Sequence, residues 1–269
     1  MANEAEVKKW NDIRQTSTWP AREQITGAVS PYLLDAITVR AGTRILDVGC
    51  GGGGLTSTLA ERVGSTGEVV GVDISDALLT LAAERSVQAC VDNVEFLQLD
   101  MQSGHVGGGP FDLAVSQFGV MLFDEPAVAF ANICSHLVPD GHLAFACWQP
   151  ADRNPWHVSA ALGPLVAKSS APAPGKSATG PFTLGDPEHV TSLLRAAGFD
   201  EIAVVPHECA AVGSSSAIYD ARLLEFMGVA PEHMDEAAAA VGAHLSRFRV
   251  AGDEFAFPLA FQVVTANRH

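Results

Sequence analysis

The run Ile45-Leu46-Asp47-Val48-Gly49-Cys50-Gly51-Gly52-Gly53-Gly54 constrains the fold more than any other stretch of the chain. An apolar segment that ends in clustered glycines and passes into a helical pattern over Gly53–Val63 is a strand, a tight turn and a helix start in succession. Glycines let the backbone turn sharply and let a ligand approach the main chain. The helix N-terminus adds free N–H groups and partial positive charge. Gly49, Gly51 and Gly54 also satisfy G-x-G-x-x-G, a spacing compatible with more than one nucleoside ligand, so the neighbouring residues must decide.

Strand and helix then alternate. Thr43–Val48, Glu68–Asp73, Val94–Leu99, Phe111–Ser116 and Leu143–Trp148 read as strands. Ser75 caps a helix carrying Leu78, Leu79 and Leu81. Asp124 and Pro126 open another helix, whose Phe130, Ile133, Cys134 and Leu137 share one face. Short links between such elements imply a sheet covered on both faces. The expectation is an α/β fold: a Rossmann-like, doubly wound, mostly parallel seven-stranded sheet with helical cap insertions, forming a single domain over 1–269.

Within it, 1–40 reads as an N-terminal helical cap in which Pro20 opens one helix and Pro31 interrupts it or starts the next. Residues 41–148 form the core. Two insertions, 149–185 and 209–250, are expected to cap the substrate side. The first is proline-rich and holds the low-complexity run Ser169–Lys176. A helix at Pro187–Ala197 ends at Gly198, a strand follows at Ile202–Pro206, and 214–249 reads as two helices split near Pro231. The last segment alternates through Phe255, Phe257, Leu259, Phe261 and Val263. Its paired strand is expected to begin after Pro258, which has no N–H to donate.

Charge and cysteine usage exclude several classes of function. A net charge of −15, with no lysine or arginine run, repels polyanions and argues against nucleic acid and membrane partners. The 5 cysteines are widely spaced, which supports neither a disulfide frame nor a metal site. With a polar N-terminus and no long apolar stretch, the expectation is a cytoplasmic protein. A homodimer is left open.

Three acidic residues end successive strands. Asp47 lies two residues before the first glycine, where a carboxylate suits a cationic ligand and repels pyrophosphate. Asp73 suits vicinal ribose hydroxyls, and Asp100 suits an adenine amino group with Met101 packed on the ring. Together these residues resemble the class I S-adenosylmethionine (SAM) dependent methyltransferases. Ile45–Gly53 is similar to that family's first motif, Gly71–Ile74 to its second, Leu99-Asp100-Met101 to its third and Phe111–Ser116 to its fourth. Leu137–Phe145 resembles the turn into strand five. Gln117–Met121, Asn154-Pro155-Trp156 and Ala197-Gly198-Phe199 look like the small-molecule enzymes related to quinone biosynthesis. The resemblance implies SAM as cofactor, held by Asp47, Gly49, Gly51, Gly53, Asp73, Ile74, Asp100, Met101 and Ser116. The family often has Pro-Gly-Gly where this chain has Pro139-Asp140-Gly141, a change confined to a turn.

The expected reaction is in-line methyl transfer to a small, partly apolar molecule, quinone-like or of secondary-metabolite type. Among 9 histidines, His157 follows strand five where the substrate should sit, and it is the candidate catalytic residue. Trp10, Trp19, Phe118 and Trp156, with Phe226 and Met227, offer apolar walls. If the N-terminal segment serves only that side, deleting 1–30 spares SAM binding more than turnover. The alternatives are a SAM-binding regulator without catalysis and an NAD(P)-dependent oxidoreductase. The second has no use for Asp47 and would need a hydride-transfer signature that this sequence lacks.

Overall fold

The parallel strands β1 (Arg44–Val48), β2 (Glu68–Asp73), β3 (Val94–Gln98), β4 (Phe111–Gln117) and β5 (Leu137–Trp148) form most of one sheet. The structure, a computed structural model, describes residues 4–163, 165, 180–218, 224–225 and 227–269. The run Ser169–Lys176 and Phe226 lie outside the described residues. With β6 at Phe199–Ser214 and β8 at Glu254–Arg268, strand order is β3-β2-β1-β4-β5-β8-β6, so the chain winds one way from β1 and then crosses to β4. That reversal opens a crevice above the carboxyl ends of β1 and β4, the place where open α/β sheets bind ligands.

Alternation along each strand separates two packed faces. Ile45, Val69, Leu113 and Val115 pack with Leu59, Ala60 and Val63 of α4 (Gly54–Val63). Leu46, Val48, Val70, Val72 and Ala114 belong to the larger cluster, with Phe130 and Ile133 of α6 (Pro126–Ser135). Because both faces are covered, β1 and β2 read as nearly continuous apolar runs.

The sheet differs from the expected seven strands by one. Described residues form eight, the extra one being β7 (Arg249–Ala251), a short partner of β8 (Glu254–Arg268). β6 (Phe199–Ser214) and β8 are long and antiparallel. Pairing of β5 with β8 ends at Trp148↔Phe261, whereas β6 and β8 stay paired as far as Ser214↔Glu254. The ribbon therefore rises roughly 20 Å beyond the carboxyl edge of the sheet, at ~3.4 Å per residue.

Residues 209–214, expected in a helical insertion, are strand. Beyond them 3-10 turns lie at Ser215–Ala217 and Pro231–His233, followed by a helix at Met234–Ser246; residues 224–225 are helical, and the rest of the first helix expected before Pro231 lies largely outside the described residues. Nor does pairing wait for Pro258, which sits opposite Ala210. Ala260 donates its N–H to Asn154 and accepts from Gln149 N, so its polar groups face away from β6. Pro258, two residues earlier, has the same orientation, and its missing N–H costs no ladder bond.

The N-terminal cap comprises α1 (Glu4–Trp10), α2 (Ile13–Thr26) and α3 (Ser30–Asp35). Pro20 lies inside α2 and does not open a helix, while Pro31 sits in the first turn of α3. An interior proline gives up one helix hydrogen bond; the tertiary contacts of α2 offset that loss. At one end it packs on α5 (Asp76–Gln88), and at the other on β6 and the 215–217 turn. It thus lies across the crevice. The 149–185 insertion sends Trp156, Val158, Leu162 and Leu184 into the main core. Among the described residues no helix is long and apolar enough to cross a membrane.

Candidate functional site

The loop between β1 and α4 holds Gly49, Gly51 and Gly53 at φ +70°, +55° and +78°. Those values strain any side chain-bearing residue. Its first glycine also packs on the next loop: a Cβ on Gly49 would come within 2.8 Å of Gly119 Cα. Gly49 N and Cys50 N both donate to Val72 O, at 2.8 and 3.1 Å. Ser116 Oγ donates to Val48 O at 2.6 Å and accepts from Gly119 N and Val120 N, each at 3.2 Å. Its single proton is spent on the loop, so Ser116 acts here as a brace.

Three carboxylates line the edge beside this loop. Asp47, 1% exposed, accepts from Thr56 Oγ1 at 2.7 Å. Burial pushes its pKa up to about 7, against the lowering effect of Thr56; nearby Asp73 raises it further. Asp73 accepts from Gly51 N through Oδ2 and from Ser75 N through Oδ1, each at 2.9 Å. Burial raises its pKa, and these backbone N–H groups oppose the rise. An ionised carboxylate has about four acceptor sites, so Asp73 can still take hydroxyl donors. Asp100 Oδ1 accepts from Gln102 N at 3.0 Å.

Ile74 is half-buried, and its carbonyl accepts from Asn11 at 3.0 Å and from Gln98 at 3.2 Å. Met101 is buried in the main core. This edge repels a pyrophosphate and accommodates a cation and a nucleoside. The loop's glycines are required by their positive φ and by the atoms packed on them, Gly119 on Gly49, Trp19 on Gly51 and Ala82 on Gly53, and SAM, a cationic nucleoside, fits the chemistry of the edge.

On the far side of Gly119 stands an aromatic stack. Phe118, at φ +65°, lies face to face with Trp148 at 4.0 Å, and Trp156 meets Trp148 edge-on at 5.1 Å. Phe182 follows at 6.4 Å from Trp156, and His157 lies against Phe182 at 4.7 Å. Asn154, fully buried, holds the group in place. Its Oδ1 accepts from Trp156 Nε1 and Ala260 N, both at 3.0 Å, and its Nδ2 donates to Ala260 O at 2.8 Å. His157 Nδ1 is 2.7 Å from Ser159 Oγ. Burial, and then His244, lower its pKa to about 4, so the ring is neutral at neutral pH.

Phe118, Trp156 and His157 therefore come together, whereas Trp10 and Trp19 do not join them. These two tryptophans meet each other edge-on at 6.3 Å, and Trp19 lies against Gly51 and Gly52. Met227 packs on the main core. His136 has a structural place: Nε2 accepts from Val106 N at 3.0 Å, which leaves Nδ1 to donate to Asn132 O at 2.8 Å. The sequence reading missed Trp148, Asn154, Glu23 and Arg85. Trp148 had a signal, its position at the carboxyl end of strand five. Asn154 had one only as part of the Asn154-Pro155-Trp156 resemblance, and its bracing role had no local signal, because its partner Ala260 is 106 residues away.

A family model described as a methyltransferase domain matches residues 40–198. The chain is similar to the nocamycin O-methyltransferase of Saccharothrix syringae, 35% identical over 188 residues, which is 65% of each chain. It is also similar to a ubiquinone/menaquinone biosynthesis C-methyltransferase of Idiomarina loihiensis, 26% identical over 181 residues. That alignment takes in 64% of this chain and 72% of the relative. The alignment thus spans just under two thirds of the first relative's length. Among solved structures, the YcgJ protein of Bacillus subtilis shares the fold, with a TM-score of 0.60 at 15% identity over 90% of this chain and 99% of that one. A carboxylate-ended, glycine-looped sheet of this order and a family match over more than half the chain meet in one conclusion: the chain belongs to the class I, S-adenosylmethionine-dependent methyltransferase family.

Proposed function

We propose that this protein transfers a methyl group from SAM to a small, partly apolar organic acceptor, of quinone-like or secondary-metabolite type, by in-line displacement. One observation carries the proposal: the Phe118–Trp148–Trp156 stack adjoins the glycine loop through the contact of Gly119 with Gly49. An apolar wall beside the cofactor loop seats a planar acceptor and keeps water from the reacting carbon. SAM, when bound, supplies a methyl carbon already activated by its sulfonium. Asp47, when ionised, faces the α-ammonium; Asp73 accepts from the ribose hydroxyls; Asp100 accepts from the adenine amino group, with Met101 and Ile74 bordering the ring. Gly49, Gly51 and Gly53 give the loop the positive-φ path along which its main chain borders the cofactor.

The protein's remaining task is alignment, which oriented walls provide. His157 is the residue we assign to the acceptor's proton. Its neutral ring can accept a hydrogen bond from an acceptor hydroxyl and orient it; with a conjugate acid near 4 it is a weak base, so it receives the proton only as the O–methyl bond forms and the hydroxyl turns acidic. Relatives named as O- and C-methyltransferases are compatible with an oxygen or a carbon nucleophile.

The test is turnover. Purified protein with SAM and a panel of phenols, hydroquinones and hydroxylated polyketides is assayed by mass spectrometry for methylated product and S-adenosylhomocysteine (SAH). We expect product from planar, hydroxylated members of the panel. Tight SAH binding with no product from any of them would favour a SAM-binding regulator.

A further inference from the structure

Trp19 is the residue through which α2 meets the glycine loop. A Cβ on Gly51 would run into its six-membered ring, and one on Gly52 would run into Nε1. The same turn of α2 brings Glu23 Oε1 to 2.5 Å from the Cβ position of Gly54. Arg85 Nη1 donates to Glu23 Oε2 at 2.7 Å and to Gly52 O at 3.0 Å. The helix is therefore clamped to the loop. Yet within this clamp Trp19 Nε1 is buried and has no hydrogen-bond partner among the described residues. By contrast, Trp10 Nε1 donates to Glu6 at 2.7 Å and Trp156 Nε1 to Asn154 at 3.0 Å. A buried, unpaired donor is rare in native proteins and calls for an explanation.

The chemistry of the edge supplies one. Asp47, Asp73 and Asp100 offer acceptors to a ligand's ammonium, hydroxyl and amino groups. None of them, when ionised, can serve the charged acceptor of SAM, its carboxylate, which needs donors. Trp19 is donor-only and stands on the loop where that ligand is held. We infer that the Trp19 indole N–H donates to the carboxylate of bound SAM, which makes Trp19 a cofactor-binding residue and α2 part of the cofactor site. This rests on the family assignment that the loop holds SAM.

The test uses the full-length protein labelled with nitrogen-15 and titrated with SAH. The Trp19 indole resonance is assigned by its loss in Trp19→Phe, which keeps a ring against the loop. We expect it to move downfield with SAH, as a donor gaining a charged acceptor does. Trp19→Phe should bind SAH roughly tenfold or more weakly by calorimetry, the range for a bond to a charged group. It should bind 5′-deoxy-5′-methylthioadenosine, which lacks the carboxylate, as the wild type does. A stationary resonance with unchanged SAH affinity overturns the inference. Equal losses for both ligands place the acceptor on the nucleoside they share and overturn the carboxylate assignment. A wild type that binds neither ligand overturns the cofactor reading itself.

Discussion

Asp47 carries a cost in the ligand-free protein that its ligand is positioned to relieve. Its pKa stands at about 7, above the ordinary 3.8, chiefly because burial penalises the charged form. A carboxyl whose folded pKa is raised contributes stability that is full below 3.8 and lost as pH rises through about 7. Asp47→Asn can keep the Thr56 bond and removes the buried charge. We expect the ligand-free variant to melt higher than wild type at pH 8 and to be more stable by on the order of a few kcal/mol at most. Its SAH affinity should fall at least ~10-fold for want of a counterion to the ammonium. Calorimetry in buffers of differing ionisation heat adds a second check: at pH 6 wild type should release about one proton per SAH bound, and the variant none. His157 runs the other way. Its folded pKa near 4 means that stability is lost as pH falls from 6.5 through 4, so the two groups oppose each other across the same window.

At the scale of elements, α2 joins what the sequence suggested were separate duties. The helix touches the glycine loop through Trp19 and Glu23 and reaches the β6–β8 ribbon, where a Cβ on Gly213 would lie 2.5 Å from Ile25 Cδ1. The expectation that losing residues 1–30 spares cofactor binding more than turnover therefore changes. Such a cut removes Ile25 and Val29 from the core, so the informative truncation stops before them. Deleting residues 1–22 should weaken SAH binding at least ~10-fold while the ligand-free protein still melts cooperatively. Unchanged SAH affinity would return α2 to the acceptor side alone. Gly51→Val meets both constraints on the loop, since φ +55° resists a β-branched residue and its Cβ collides with Trp19. We expect a folded protein by circular dichroism with no measurable SAH binding.

Over the whole molecule, the family match stops at residue 198 and starts at 40. It takes in the carboxylate edge and the aromatic stack but leaves out α2 and the β6–β8 ribbon, the parts that frame the opening. A net charge of −15 and three carboxylates at the loop also separate the ligands. In thermal-shift measurements SAH should raise the melting temperature by mass action, and NADH, with its pyrophosphate, should leave it unchanged.

Local pattern determined much of this protein. The strand–glycine–helix run, the acidic strand ends, the Ser75 cap and the Pro31 helix start are properties of short segments, each set by backbone sterics or apolar period within a few residues. Other features arise between distant segments. Pro258 is tolerated in β8 because its nitrogen faces away from β6, and Pro20 is tolerated in α2 because the helix docks at both ends. Asn154 gains its role from Ala260, and Trp19 turned from an expected substrate wall into a partner of Gly51 and Gly52. No local signal carries these, because a hydrogen bond or a ring contact depends on which chain segments the completed sheet brings side by side. The sequence alone determined the cofactor's edge; only the tertiary structure decided what closes over it.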